Sequence, residues 1–291
     1  MDRVTLRNPI RFGIYTQQEW RSWAELVETW QAADEAGFDQ AWLFDHFFPE
    51  EGDDTGPCFE SWTLLAALAT QTRRIAIGVL VSGVTYRHPS ILAKQAATVD
   101  HVSGGRLILG LGAAWREPEH RAYGIELPPP GIRVERVGEA LELIRRLESE
   151  ERATFEGRHY RLEAAPFGPK PVHGHLPVCV AAIGPRMLRH VARYADQWDT
   201  WGGPERIAAN GAVVDAAAAA AGRDPRRIRR SICTGHEPLA TLETQVAHVE
   251  RYAPAGVDTF LYNMAMPNAP EAIAEVGRRL PELRERFARP A

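Results

Sequence analysis

The chain has 291 residues, 45% hydrophobic and 25% charged, and a formal net charge of −4. That balance belongs to a globular protein with a sizeable core, and it excludes the basic footprint of a nucleic-acid binder. No stretch reaches the ~20 apolar residues of a membrane span, no secretory h-region is visible near the start, and Cys58, Cys179 and Cys233 form neither a disulfide framework nor a metal pair, so a cytoplasmic protein is expected.

Short apolar runs alternate with helical patterns along the chain. The first strand is predicted over 11–15 and a helix over 19–36. Leu26, Val27, Trp30 and Ala33 share one face of that helix, and Gly37 stops it. Strand two covers 40–44, helix two 59–71 and strand three 74–81. Pro89 opens helix three, which ends near Gly104-Gly105. Strand four covers 106–111, an irregular piece 117–130 and helix four 133–149. Residues 153–163, ATFEGRHYRLE, read as a small hairpin around Glu156-Gly157. A proline-rich return over 166–177 leads to strand five at 178–182, and Pro185 opens helix five. Strand six lies at 197–201, and the alanine run 216–221 marks helix six. Strand seven at 228–233, helix seven at 242–252, strand eight at 258–262 and helix eight at 270–287 complete the pattern.

Eight strand–helix units predict one α/β domain over 1–291, a (β/α)8 TIM barrel with a small insertion after helix four. In that fold chemistry gathers at the C-terminal ends of the strands. Tyr15-Thr16-Gln17, after strand one, reads as a pocket mouth or an ordinary turn. After strand two, LFDHFFPE at 43–50 brings Asp45 and His46 together. His46 can titrate, donate a hydrogen bond or stack on a flat ring. Asp45 can fix its tautomer or hold backbone. Ser82-Gly83 offers a small backbone shelf after strand three, while His88 before Pro89 reads as a helix-start feature.

RLILGLGAAW at 106–115 carries two thirds of a G-x-G-x-x-G fingerprint. It follows the fourth strand, not the first, and Trp115 stands where the third glycine belongs. Gly110, Gly112, Ala113 and Trp115 therefore read as a shelf for a planar ring. After strand five, Gly184-Pro185 opens a helix whose free amides suit a phosphate, with Arg186 and Arg189 nearby. No HExxH, Cys/His cluster or G-x-S-x-G is present.

These strand ends, in this order, resemble the luciferase-like monooxygenase superfamily, in particular its coenzyme F420-dependent oxidoreductases. The resemblance rests on FDH at 44–46, ALATQTRRIAIGVLV at 67–81, YRHPSILAKQAATVDHVSGGRLILGLGAAWREPEHRAYG at 86–124 and AAIGPRMLRHVARYADQW at 181–198. It implies hydride transfer between a deazaflavin and a small organic substrate. It places His46 at the reactive face of the ring, supported by Asp45. Leu80-Val81 becomes a non-prolyl cis peptide behind the ring, and Ser82 and Gly83 contact the cofactor. Gly112, Ala113 and Trp115 flank the cofactor, and Ala182, Ile183, Gly184 and Pro185 hold its phosphate. Phe47, Phe48 and Trp201 would wall the substrate. The resemblance also suggests a homodimer. Sugar-phosphate dehydrogenases of the superfamily carry glutamate where Ala113 stands and tryptophan near Glu50, which points this chain toward another substrate. An FMN-dependent monooxygenase of the same fold and a non-catalytic cofactor-binding barrel are the alternative readings.

Overall fold

Local chemistry sets most element boundaries. The structure is a computed structural model that describes residues 6–235, 241–264 and 269–288. The first strand, β1 (Arg11–Thr16), leads to α1 (Trp23–Glu35). That helix starts four residues later than the pattern predicts, because Ser22 and Glu25 form a reciprocal capping box. After β2 (Gln40–Leu43), α2 (Ser61–Ala69) starts where the Glu60 carboxylate caps Trp62 N and Thr63 N. The third strand, predicted over 74–81, is shorter, β3 (Ala76–Val79), and a separate short strand, β4 (Ser82–Gly83), follows a cis Leu80–Val81 bond. The helix α3 (Pro89–Ser103) is capped by the His88 ring and closed by Gly104 at φ 72°.

Next come β5 (Leu107–Gly112), α4 (Glu117–Ala122) and α5 (Pro130–Ser149). The segment predicted as irregular thus holds a six-residue helix with no side-chain cap. An antiparallel hairpin, β6 (Arg152–Glu156) and β7 (Arg161–Pro166), separates α5 from the next barrel strand. The chain then runs through β8 (Val178–Ala181), α6 (Pro185–Tyr194), β9 (Gln197–Thr200), α7 (Pro204–Ala220), β10 (Arg229–Thr234), α8 (Leu242–Tyr252), β11 (Thr259–Asn263) and α9 (Ala269–Arg286).

The strands pair in parallel in the order β3-β2-β1-β11-β10-β9-β8-β5, and a β3–β5 pairing closes the ring. This is the predicted eight-stranded TIM barrel. Its wall packs against the helices through a large apolar core that includes Phe12, Ile14, Trp30 and Phe260. Trp42, Ile108, Cys179 and Leu261 form a second, smaller apolar cluster. Gly13 and Gly78 make room for it, since a Cβ would stand 2.6 Å from Leu261 Cδ2 and 2.4 Å from Trp42 Cζ3.

The closest approach in the wall is at Gly110. A Cβ there would lie 1.9 Å from the Val79 carbonyl oxygen. Gly110→Ala should therefore cost about 3 kcal/mol and lower the Tm by several degrees in a thermal melt. At Gly184 a Cβ would meet nothing within 4 Å, so alanine should be accepted there with an unchanged Tm.

Candidate active site

A cavity of 530 Å³ opens at the C-terminal mouth of the barrel. Residues at or just beyond the ends of β1, β2, β3, β5, β8, β9 and β10 line it. One wall is small and apolar, built from Leu80, Val81, Gly112, Ala113, Ala181 and Ala182. Gly112 has to lack a side chain, because a Cβ would come within 2.6 Å of Val81 Cγ2. Ala114, at φ 54°, is held in a left-handed conformation by Arg133, whose guanidinium donates to the Ala113 and Ala114 carbonyls.

His46 also lines the cavity. Its Nδ1 lies 2.9 Å from Glu119 Oε2, and the Phe47 amide and the Tyr86 hydroxyl donate to the same carboxylate. Burial pushes the Glu119 carboxyl up, but these donors outweigh it and hold it below the usual range. An ionised carboxylate can only accept, so Nδ1 carries a proton and Nε2 is turned the other way. Nε2 lies 3.4 Å from Glu50 Oε1. Trp115 meets the imidazole edge-on, with centroids 5.8 Å apart. The Tyr86 hydroxyl, buried and bonded to Glu119, is pushed far above its ordinary value.

Asp45 has a different task from the one expected. It accepts from Ser61 Oγ at 2.6 Å, from Gly83 N at 3.0 Å and from both Arg87 terminal nitrogens. The carboxylate that supports the His46 ring is Glu119, not Asp45. Asp45 instead pins the backbone behind Leu80 and Val81. Ser82 is fully buried and accepts from Trp62 Nε1.

At the far end, Ala182, Ile183 and Gly184 lead into α6. Trp198 Nε1 donates to the Ala182 carbonyl and Asn210 Nδ2 to the Ile183 carbonyl, which fixes the turn. No side chain caps α6, so its first-turn amides are left for another acceptor. Arg186 pairs with Glu135 at 3.1 Å. The buried Thr200 hydroxyl, also on the cavity wall, has no hydrogen-bond partner among the described residues.

Of the residues singled out from sequence, His46, Asp45, Leu80, Val81, Gly112, Ala113, Trp115, Ala182, Ile183 and Gly184 line the cavity, whereas Ser82, Gly83 and Pro185 do not. Trp201 lines it, but Phe47 and Phe48 turn away to pack on Tyr86, Tyr123 and the Arg116 guanidinium. Glu119 escaped the sequence reading, as did Glu50 as a partner of His46 and Asp199 on the cavity wall. Among the described residues no group of His, Cys, Asp and Glu could hold a metal ion, and no helix is long and apolar enough to cross a membrane.

The fold and site together define a (β/α)8 barrel with a histidine-bearing cavity at the C-terminal mouth of its strands. Residues 5–289 match the family described as luciferase-like monooxygenase, and the chain belongs to that family. It is 34% identical over 196 residues to the F420-dependent glucose-6-phosphate dehydrogenase of Nakamurella multipartita, covering 67% of this chain and 57% of that one. The match thus spans little more than half the length of such curated relatives. It is also 32% identical over 239 residues to an uncharacterized protein of Mycobacterium tuberculosis, covering 79% of this chain and 80% of that one. The fold superposes on an F420-dependent secondary alcohol dehydrogenase in complex with an F420–acetone adduct, with a TM-score of 0.85 at 20% identity over 94% of this chain and 99% of that one. A monooxygenase from Streptomyces bottropensis gives a TM-score of 0.75 at 23% identity, over 94% of this chain and 100% of that one. At such identities the structural likeness speaks for fold alone.

Glu119→Gln should leave the barrel folded but less stable at pH 7. The depressed carboxyl contributes stability that is present above its ordinary value of 4.5 and is lost as pH falls through the lower folded value. The stability gap between wild type and Glu119→Gln should therefore narrow in denaturant titrations run at falling pH below 4.5. A gap that stays constant would mean that Glu119 is not held ionised.

Proposed function

We propose that the chain is a coenzyme F420-dependent oxidoreductase acting on a small organic substrate. One observation carries the reading: the ionised, buried Glu119 fixes the His46 ring at a cavity that has a small flat wall and, at one end, an uncapped helix N-terminus. The residues present fit such a cofactor. Gly112 and Ala113 leave a level surface, and nothing lies within 4 Å of a Cβ at Gly184. The sequence relatives named as F420-dependent dehydrogenases support the deazaflavin over a flavin.

When bound, the deazaflavin would supply a carbon that takes or gives a hydride. The remaining work falls to the chain. Leu80, Val81, Gly112 and Ala113 would back the ring, with Ser82 and Gly83 acting from behind the wall. The Ala182–Gly184 turn and the first turn of α6, opened by Pro185, would hold the phosphate through backbone amides and the helix dipole. His46 would hold or move a proton at Nε2, its Nδ1 proton being committed to Glu119. Asp45 would position the wall through Gly83 N and Arg87. Trp115 and Trp201 would exclude water from the reacting face. An FMN-dependent monooxygenase is the rival reading, supported by the description of the matching family as luciferase-like monooxygenase.

Direct titration separates the two. F420 should bind at least about tenfold more tightly than FMN, and Gly184→Glu should weaken F420 by about tenfold through repulsion at the α6 N-terminus. Equal or tighter FMN binding would overturn the cofactor assignment. With any substrate found by screening, His46→Ala should lower kcat by about a hundredfold or more while the Tm moves little.

A further inference from the structure

Asp199 lines the cavity. Its register places it opposite Ala181 on β8 and Ser231 on β10, and only 6% of its surface is exposed. Ser231 Oγ donates to Asp199 Oδ1 at 2.7 Å. Ser231 in turn accepts from Gln197 Nε2 at 3.0 Å, and Gln197 and Gln40 exchange hydrogen bonds across the barrel interior. The two amide protons of Gln197 are thereby committed, and the Ser231 proton goes to Asp199 at 2.7 Å rather than to the more distant Trp198 carbonyl at 3.5 Å. Among the described residues no donor is seated on Asp199 Oδ2. The titratable groups facing Asp199 are Tyr15 from β1, Cys179 from β8 and Cys233 from β10, and none of them is basic. Arg230 on β10 turns outward to Asp215. Burial pushes the Asp199 carboxyl up to about 7, against the opposing pull of the Ser231 bond.

Two more observations bear on what the cavity takes. The buried Thr200 hydroxyl, next along β9, also lines the cavity without a partner among the described residues. No arginine or lysine is found among the described residues of the wall. The exposed rings of Trp115 and Trp201 stand at the wall instead.

We propose that Asp199 is a substrate-binding acid: its carboxyl proton is donated as a hydrogen bond to a carbonyl or hydroxyl oxygen of an uncharged, ring-bearing substrate, with the Thr200 hydroxyl beside it. The proposal rests on reading this cavity as the substrate chamber of an oxidoreductase. A neutral acid can donate where a carboxylate cannot. An anionic substrate finds no arginine or lysine among the described residues of the wall to offset its own charge, so a sugar phosphate is the wrong class for this chamber.

Infrared difference spectroscopy on the cofactor-free protein reads the acid directly, as the carbonyl stretch of a protonated carboxyl group. Wild type should give a band that disappears as pH rises through neutrality, and Asp199→Asn should lack it. Ser231→Ala removes the bond that favours the charged form, so the band should persist to higher pH. That variant also keeps the test open if Asp199→Asn fails to fold. Tryptophan fluorescence titrations of the F420-loaded protein then compare benzyl alcohol with benzoate at pH 6. The alcohol should bind saturably and at least about tenfold more tightly than benzoate, and Asp199→Asn should weaken the alcohol. Absence of the band from wild type, its presence in Asp199→Asn, no saturable alcohol binding or equal binding of benzoate would each overturn the proposal. The infrared band needs no cofactor, so a failure of F420 binding is distinguishable from a failure of Asp199.

Discussion

The site depends on the bond between the buried Glu119 carboxylate and the His46 ring. A charge taken out of water is costly unless several donors satisfy it. Here the donors come from the loop after β2, as His46 Nδ1 and the Phe47 amide, and from the segment after β4, as the Tyr86 hydroxyl. Arg116 adds a more distant charge at 3.8 Å and ties the same loop down by donating to the Phe48 and Pro49 carbonyls. One carboxylate on α4 thus joins three strand-end segments, and the tautomer of the histidine follows from that joint.

Asp45 and Glu119 divide the work that a single acid next to the histidine was expected to do. Asp45 follows β2 directly and spends its oxygens on Ser61, Gly83 N and Arg87, with Arg87 continuing to Glu60. It holds the wall. Glu119 is 73 positions from His46 and orients the ring. The division has a geometric reason. Adjacent residues leave a strand end in different directions, so a neighbour in sequence is poorly placed to bond the ring beside it.

This explains which parts were legible in the sequence. The barrel was readable because apolar runs and helical periodicity repeat eight times, and because Gly37, Pro89 and Gly104 punctuate them. Of the two glycines of GLGAAW that were expected to form a shelf, Gly112 lines the cavity and Gly110 does not. Both proved constrained, since Gly110 and Gly112 press against Val79 and Val81 on the neighbouring strand segment. Glu119 was hidden because α4 is six residues long and has no side-chain cap, in a stretch rich in proline and arginine. Phe47 and Phe48 looked like substrate walls, but the aromatic cluster with Tyr86 and Tyr123 draws them away from the cavity. Asp199 did leave a trace. An acid inside QWDT, a strand buried throughout, breaks the apolar pattern with no basic partner beside it in sequence.

The neighbourhood of the α6 turn sets the electrostatics of the cavity. The turn offers backbone amides, and no carboxylate of that helix's first turn competes for them. The next strand, β9, lies directly beside it: Asp199 pairs with Ala181, and the Ala182 amide donates to the Asp199 carbonyl. The wall thus carries amides suited to an anion and, one strand over, a carboxyl that burial pushes up to about 7. On the proposed function, the phosphate of the cofactor is favoured at the turn, and a protonated Asp199 spares it the repulsion that a carboxylate on the neighbouring strand would bring.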